Sequence, residues 1–285
     1  MDNYMEAMRE ATMTMLNAHP EFSAVKIPKF ASWVEFIRFQ CATANNNVGH
    51  LNEKDGINCD KCLNRGYFEM FNEETGNTYI KKCSCMAKRE SILLMRKSGL
   101  DNLLNCSFQN YETTEKWQKS ALDMAVDYVN NSDNGWLYFS GQRGGGKTHL
   151  CSAICKELMN KGRSVKYMLW TDISQKLDAL KYKELDYKLY MDVIKNTDVL
   201  YIDDFLKNSL HDFTEIKKAY IIINARDLVE KKTIISSENS IYELDDVDSA
   251  ISGRIRKQCG NKYIIHITPQ DGRDYRKKYR KGFDV

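Results

Sequence analysis

Apolar positions recur along this chain in two different rhythms. In its second half, five short apolar runs sit where strands belong: Leu137 to Ser140, Val165 to Leu169, Val199 to Ile202, Thr233 to Ser236 and Tyr263 to Ile267. Helically spaced segments separate them, among them Lys147 to Met159 and Phe213 to Val229. The second of these sets Phe213, Ile216, Tyr220 and Ile223 on one face, as an amphipathic crossover helix requires. Alternating strands and helices predict an α/β domain on a mainly parallel, doubly wound sheet. The first half reads differently. Tyr4 to Leu16 and Trp33 to Ala42 are spaced like helices, and the polar run Asn45-Asn46-Asn47 before Gly49 reads as a loop. Residues 56–90 hold short β-prone pieces, Gly66-Tyr67-Phe68 and Thr78-Tyr79-Ile80, among glycines and cysteines. From Ser91 the pattern turns helical. Two unequal domains are expected: 1–100, with a small module at about 56–90, and 101–285.

Composition narrows the class. Of 285 residues, 42% are hydrophobic and 28% charged, which excludes a mostly disordered chain. The N-terminal stretch carries acids among its apolar residues, and no run approaches the length that crosses a bilayer, so a cytoplasmic protein without membrane contact is expected. The net charge of +3 implies no polyanionic partner by itself, and what matters is its placement. From Ser252 to Lys281 ten Lys or Arg face only Asp271 and Asp274, with Tyr263, Tyr275 and Tyr279 interleaved. That pattern suits either a track for single-stranded DNA, with bases stacked on the rings, or a solvated charged face.

The strongest chemical signal is Gly141-Gln142-Arg143-Gly144-Gly145-Gly146-Lys147-Thr148, followed by His149. It matches G-x-x-x-x-G-K-[ST] at every fixed position, after a strand-like run and before a helix-like one. Glycines let the backbone turn tightly, so that successive N–H groups face phosphate oxygens and the helix adds its positive end. Lys147 is then expected to reach the β- and γ-phosphates of ATP, and the Thr148 hydroxyl to ligate Mg²⁺.

Asp198-Val199-Leu200-Tyr201-Ile202-Asp203-Asp204-Phe205, whose Asp203 stands fifty-six residues beyond Lys147, is an apolar strand ending in two carboxylates. This is the Walker B form: Asp203 would hold Mg²⁺, usually through water, and Asp204 would act on the water that attacks the γ-phosphate. A third strand ends in Ser237-Glu238-Asn239, where Ser237, Glu238 or Asn239 could sense the γ-phosphate; a plain helix cap is the alternative. Further on, Ser252-Gly253-Arg254-Ile255-Arg256 follows an acidic helix start.

The motifs GQRGGGKT, VLYIDDF, TIISSEN and SGRIRKQ, in that order and spacing over about residues 105 to 281, resemble the DnaC and DnaI helicase loaders and the related IstB transposition ATPases. The resemblance implies an AAA+ P-loop core with a five-stranded parallel sheet and no C-terminal lid, 18 residues following Ile267. It implies that Arg254 reaches ATP in a neighbouring subunit, with Arg256 the fallback, and hence ATP-dependent homo-oligomers. It also implies that Phe108-Gln109-Asn110-Tyr111 packs beside the adenine, unless it is a hydrophobic anchor; Arg276 is a candidate for the second sensor arginine that a lid would carry. AAA+ proteins more often carry Glu where this chain has Asp204, which points to slow hydrolysis.

Nine cysteines include one cluster: Cys59-Asp60-Lys61-Cys62, twenty residues, then Cys83-Ser84-Cys85. Four thiolates can close a structural, tetrahedral Zn²⁺ site and so fold a module with little core. The C-x-C pair is tighter than the usual C-x-x-C, which leaves His50 open as a substitute; disulfides are the alternative to metal. DnaI-type loaders resemble this chain in having an N-terminal zinc module that docks on the helicase. Three functions follow as expectations: a loader of a replicative DNA helicase, which grips single-stranded DNA; a transposition helper that recruits a transposase; and a non-enzymatic zinc adaptor.

Overall fold

The computed structural model describes residues 7, 8, 10, 11, 14, 32–97, 101–131, 134–260, 262–270, 273 and 274. Most of the expected helix Tyr4 to Leu16, and Tyr275, Arg276 and Tyr279, lie outside them. The chain divides into two compact units, Met1–Met86 and Ala87–Val285.

In the first unit, helix α1 (Trp33–Asn45) starts at Ser32, whose hydroxyl accepts from the Glu35 amide and so satisfies one of the helix's unpaired N–H groups. It buries Phe36 and Cys41, and a short α2 (Leu51–Asp55) follows. Strands β1 (Tyr67–Phe71) and β2 (Thr78–Lys82) form an antiparallel hairpin closed by Asn72, whose side chain accepts from the Glu74 and Thr75 amides. Asn45, at the end of α1, accepts from the Glu69 amide and donates to the Glu69 carbonyl, which pins helix to hairpin. Helix α3 (Cys85–Lys97) crosses the division between the units.

The second unit continues through α4 (Asp101–Leu104), α5 (Lys116–Asn131), β3 (Leu137–Gly141), α6 (Lys147–Asn160), β4 (Val165–Leu169), α7 (Trp170–Leu180) and α8 (Glu184–Asn196). Then come β5 (Val199–Asp203), α9 (Phe213–Leu228), β6 (Lys232–Ser236), α10 (Ile241–Val247), α11 (Ser249–Cys259) and β7 (Ile264–Ile267). The five strands form one parallel sheet in the order β4-β5-β6-β3-β7. β3, β5 and β6 are buried throughout while β4 is only partly buried and β7 alternates, as expected of inner strands covered on both faces and edge strands that are not. Every predicted strand is present, within a residue of its expected ends.

One helix differs from expectation. α9 buries Ile216, Ala219, Ile222, Ile223 and Arg226, whereas Phe213 is 82% exposed and Tyr220 sits at the surface. Phe213 occupies the first helical position, just past the Asp212 cap. Tyr263 departs too: it is buried, its ring edge-on to Tyr128 and its hydroxyl on Asp127, so it cannot stack a base.

Candidate functional site

The loop from β3 to α6 is shaped by glycine. Gly141, Gly144 and Gly146 have φ of +110°, +70° and +82°, a region where side chains are strained. Space forbids them as well: a Cβ on Gly141 would lie 2.1 Å from the Ile267 carbonyl oxygen, and one on Gly146 would lie 2.8 Å from the Tyr111 ring. The loop therefore runs against its neighbours, with the Gln142 amide donating to the Ile267 carbonyl (3.0 Å) and the Gly145 amide to the Gln142 carbonyl (3.3 Å). Lys147, buried at the start of α6, donates to the carbonyls of Gly141 (2.7 Å) and Gln142 (2.8 Å). Burial lowers its pKa, opposed by the nearby carboxylates of Glu238, Asp204 and Asp203.

Sheet order then brings the other motifs to the loop. β5 ends at Asp203, a buried carboxylate with an unusually full set of donors. Its Oδ1 accepts from the hydroxyls of Thr148 (3.2 Å), Tyr201 (2.9 Å) and Ser236 and from the Asp204 amide (3.1 Å), and its Oδ2 accepts from the Tyr167 hydroxyl (2.9 Å). Thr148 and Asp203 together form the donor pair a Mg²⁺ ion would take, directly or through water. Asp204, with φ +53°, turns out of the strand; its carboxylate is ion-paired to Lys207 at 2.6 Å. Glu238 bridges Arg143 (2.7 Å) and Lys207 (3.7 Å).

A cleft of about 280 Å³ opens among these groups, lined by the loop from Arg143 to His149, Tyr111, Glu112, Asp204, Lys207 and Glu238. Tyr111 stands against His149 (ring centroids 5.5 Å), and His149 is hydrogen-bonded to the Ser107 carbonyl (3.0 Å). Of the three sensor candidates only Glu238 lines this cleft. Ser237 is buried and donates to the Phe205 carbonyl at 2.8 Å, and the Asn239 amide is turned to the Leu206 carbonyl at 3.3 Å. Arg254 stands apart from the cleft, on α11: it donates to Asn224 (3.1 Å) and the Ala250 carbonyl (2.9 Å) and lies over the Tyr220 ring at 5.1 Å. Arg256 pairs with Asp245 (3.6 Å).

Sequence reasoning missed Ser236, Tyr167 and Lys207. The first two meet Asp203 only because β4, β5 and β6 are neighbours, and no linear spacing carries that information. Lys207 did leave a signal, a lone cation three residues after an Asp-Asp pair.

In the first unit, Cys59, Cys62, Cys83 and Cys85 place their sulfurs within 4.8 Å of one another. The Cys59–Cys83 and Cys62–Cys85 separations are 3.9 and 3.6 Å, too long for disulfides and close to the ~3.8 Å that tetrahedral Zn–S bonds of ~2.3 Å impose. Gly66, with φ +84°, donates its amide to Cys62 Sγ (3.3 Å) and its carbonyl accepts from the Cys83 amide (2.8 Å), tying the two halves together. Burial raises the Cys59 thiol, but hydrogen bonds from the Cys62 amide and the neighbouring thiols outweigh it and bring it down to about 7. His50 lies outside the cluster, hydrogen-bonded to Glu53 at 2.9 Å. The donor set fits Zn²⁺.

A parallel sheet in this order, with a phosphate loop after β3 and an Asp-tipped β5 beside β6, defines a P-loop nucleoside triphosphatase of the AAA+ class. The family model described as IstB-like ATP binding protein matches residues 82–281. The chain belongs to that family, and its domain is shared with the DnaC-like helicase loaders. Among curated relatives, the Bacillus subtilis protein YqaM is 31% identical over 206 residues, covering 67% of this chain and 65% of YqaM. XkdC, of the phage-like element PBSX in the same bacterium, is 29% identical over 225 residues, covering 73% and 81%. The replicative helicase loader DnaC of Escherichia coli K12 is 35% identical over 132 residues, covering 45% of this chain and 52% of DnaC. The chain thus spans about two thirds of YqaM and half of DnaC. A solved DnaC helicase loader structure is similar in fold, with a TM-score of 0.48 and 22% identity, covering 59% of this chain and 99% of that one. No helix among the described residues is long and apolar enough to cross a membrane.

Proposed function

We propose that this chain is an ATP-dependent loader of a replicative DNA helicase onto DNA during replication initiation. The observation that carries the reading is the convergence of Lys147, Thr148 and Asp204, from two separate motifs, around one cleft, with Asp203 hydrogen-bonded to Thr148. Lys147 and the loop amides hold the β- and γ-phosphates, and Thr148 and Asp203 hold Mg²⁺, which when bound neutralises charge on the phosphate oxygens. Asp204 orients a water toward the terminal phosphate and takes its proton as ADP and phosphate separate. Arg254, held outside its own cleft, serves a neighbouring subunit and couples hydrolysis to assembly of a homo-oligomer. Tyr111, beside His149 in the cleft lining, packs against the adenine.

Residues 1 to about 100, with Zn²⁺ on the four cysteines, engage the helicase, and the AAA+ domain at 101–285 grips single-stranded DNA. The test is co-purification with the host's replicative helicase, with and without ATP, alongside ATPase assays with single-stranded DNA. Nucleotide-dependent co-purification and stimulated hydrolysis are expected. Hydrolysis indifferent to both partners, together with no helicase recovered, contradicts the loader reading. Membership of the IstB-like family supports a second reading, a transposition helper, which a gel-shift preference for long duplex over single-stranded DNA would select.

A further inference from the structure

Immediately after β5 the backbone adopts a conformation that its residues do not favour. Asp204, Leu206 and Asn208, none of them glycine, have φ of +53°, +53° and +57°. Such strain persists only where surrounding structure over-determines it, and it concentrates at functional sites. Here the clamps are plain. The Phe205 amide donates to the Ser236 carbonyl (2.8 Å), Ser237 donates to the Phe205 carbonyl (2.8 Å), and Arg143 donates to the Asn208 side chain (3.1 Å). Phe205 is fully buried, edge-on to Trp170 at 5.0 Å, and Leu206 is buried beside it. With both apolar residues turned inward, Lys207 lines the phosphate cleft.

There its ammonium stands 2.6 Å from Asp204 Oδ2 and 3.7 Å from Glu238 Oε1, and Glu238 in turn holds Arg143 of the phosphate loop. Lys147 donates to two loop carbonyls, which leaves one of its three N–H groups for a phosphate. Beside Lys147 and Arg143, Lys207 is therefore a third cation of the cleft, on a short strained loop, shared between two carboxylates and partly exposed to whatever enters. A phosphate with more negative charge than a carboxylate, and three acceptor oxygens, competes for it. A triphosphate carries that terminal group one phosphate farther along its chain than a diphosphate does.

Building on the ATP-site reading above, we infer that Lys207 is the residue through which this site distinguishes triphosphate from diphosphate, its ammonium passing from Asp204 to the terminal phosphate. Asp204 Oδ2 is then freed, so arrival of the third phosphate also releases the carboxylate that faces the attacking water. Lys207 thus acts as a specificity and positioning residue, through charge in cis.

The test is calorimetric titration of the full chain with Mg²⁺ and either a non-hydrolysable ATP analogue or ADP, for wild type, Lys207→Gln and Lys207→Arg. Lys207→Gln is expected to weaken the triphosphate roughly tenfold while ADP affinity stays within about twofold, and Lys207→Arg to keep the wild-type preference. ADP binding doubles as the folding control for each variant. An unchanged preference in Lys207→Gln, or equal weakening of both nucleotides, overturns the inference alone. A wild-type chain that takes up neither nucleotide removes the ATP-site reading and this inference together.

Discussion

Asp203 accepts from Thr148, Tyr201, Ser236, Tyr167 and the Asp204 amide, so its carboxylate is oriented by the protein rather than by whatever it binds. Outer partners of this kind tune metal affinity by roughly ten- to a hundredfold. Ser236→Ala removes one donor from a crowded oxygen and leaves Tyr201 and Thr148 in place. The Mg²⁺ concentration needed for half-maximal nucleotide binding should rise about tenfold, while stability falls by about 1 kcal/mol. Magnesium titration of nucleotide fluorescence measures the first and urea unfolding the second; a Mg²⁺ requirement that does not move would reduce Ser236 to a packing role. The tyrosines act in the same sense: burial, then the Asp203 charge, raises the pKa of Tyr167, so its hydroxyl stays a donor at any physiological pH.

At the scale of elements, the sheet is held to its helices partly through one buried cation. Arg226 of α9 donates to the carbonyls of Ile194, Lys195 and Thr197 at the end of α8, to the Lys232 carbonyl, and to the Thr233 hydroxyl on β6. It satisfies C-terminal carbonyls that a helix leaves unpaired, and burial lowers its pKa only to about 10, so it remains charged. Arg226→Met should cost about 3 kcal/mol, because several buried carbonyls lose their donor at once. Urea unfolding reads this directly, and a loss under about 1 kcal/mol would show that water or a local shift replaces the guanidinium.

The strands were legible because inner strands of a parallel sheet are apolar without interruption, and the glycine loop because phosphate chemistry demands that spacing. Helix faces were less so. Phe213 and Tyr220 share the spacing of a buried face, yet the true stripe runs through Ile216, Ala219 and Ile223, with polar Lys218 and Arg226 buried by their partners. A hydrophobicity pattern cannot anticipate charged residues whose burial depends on Asp178, Glu215 or distant carbonyls. Lys207 escaped for a related reason: its place follows from the positive φ angles of Asp204, Leu206 and Asn208, imposed by β6.

For the whole molecule, the two units rest on different sources of stability. The second has a continuous apolar core, whereas the first gathers four thiols where a larger domain would put hydrophobic side chains. A module of that kind draws its folding free energy from the metal. Stripping zinc from the full chain with a chelator should make the four thiols Cys59, Cys62, Cys83 and Cys85 newly reactive toward a thiol reagent, and leave Mg-nucleotide affinity unchanged. If chelation exposes no further thiols, the cysteine site is not a metal centre.

The proposed function requires that one triphosphate be held between the Gly141–Thr148 loop and Asp203. Calorimetry of the full chain with ATP and Mg²⁺ tests it most directly. Saturable uptake by the wild type is expected, dependent on Mg²⁺ and abolished in Lys147→Ala. A well-folded wild-type chain that takes up no nucleotide, or a Lys147→Ala chain that binds as tightly as wild type, would contradict it.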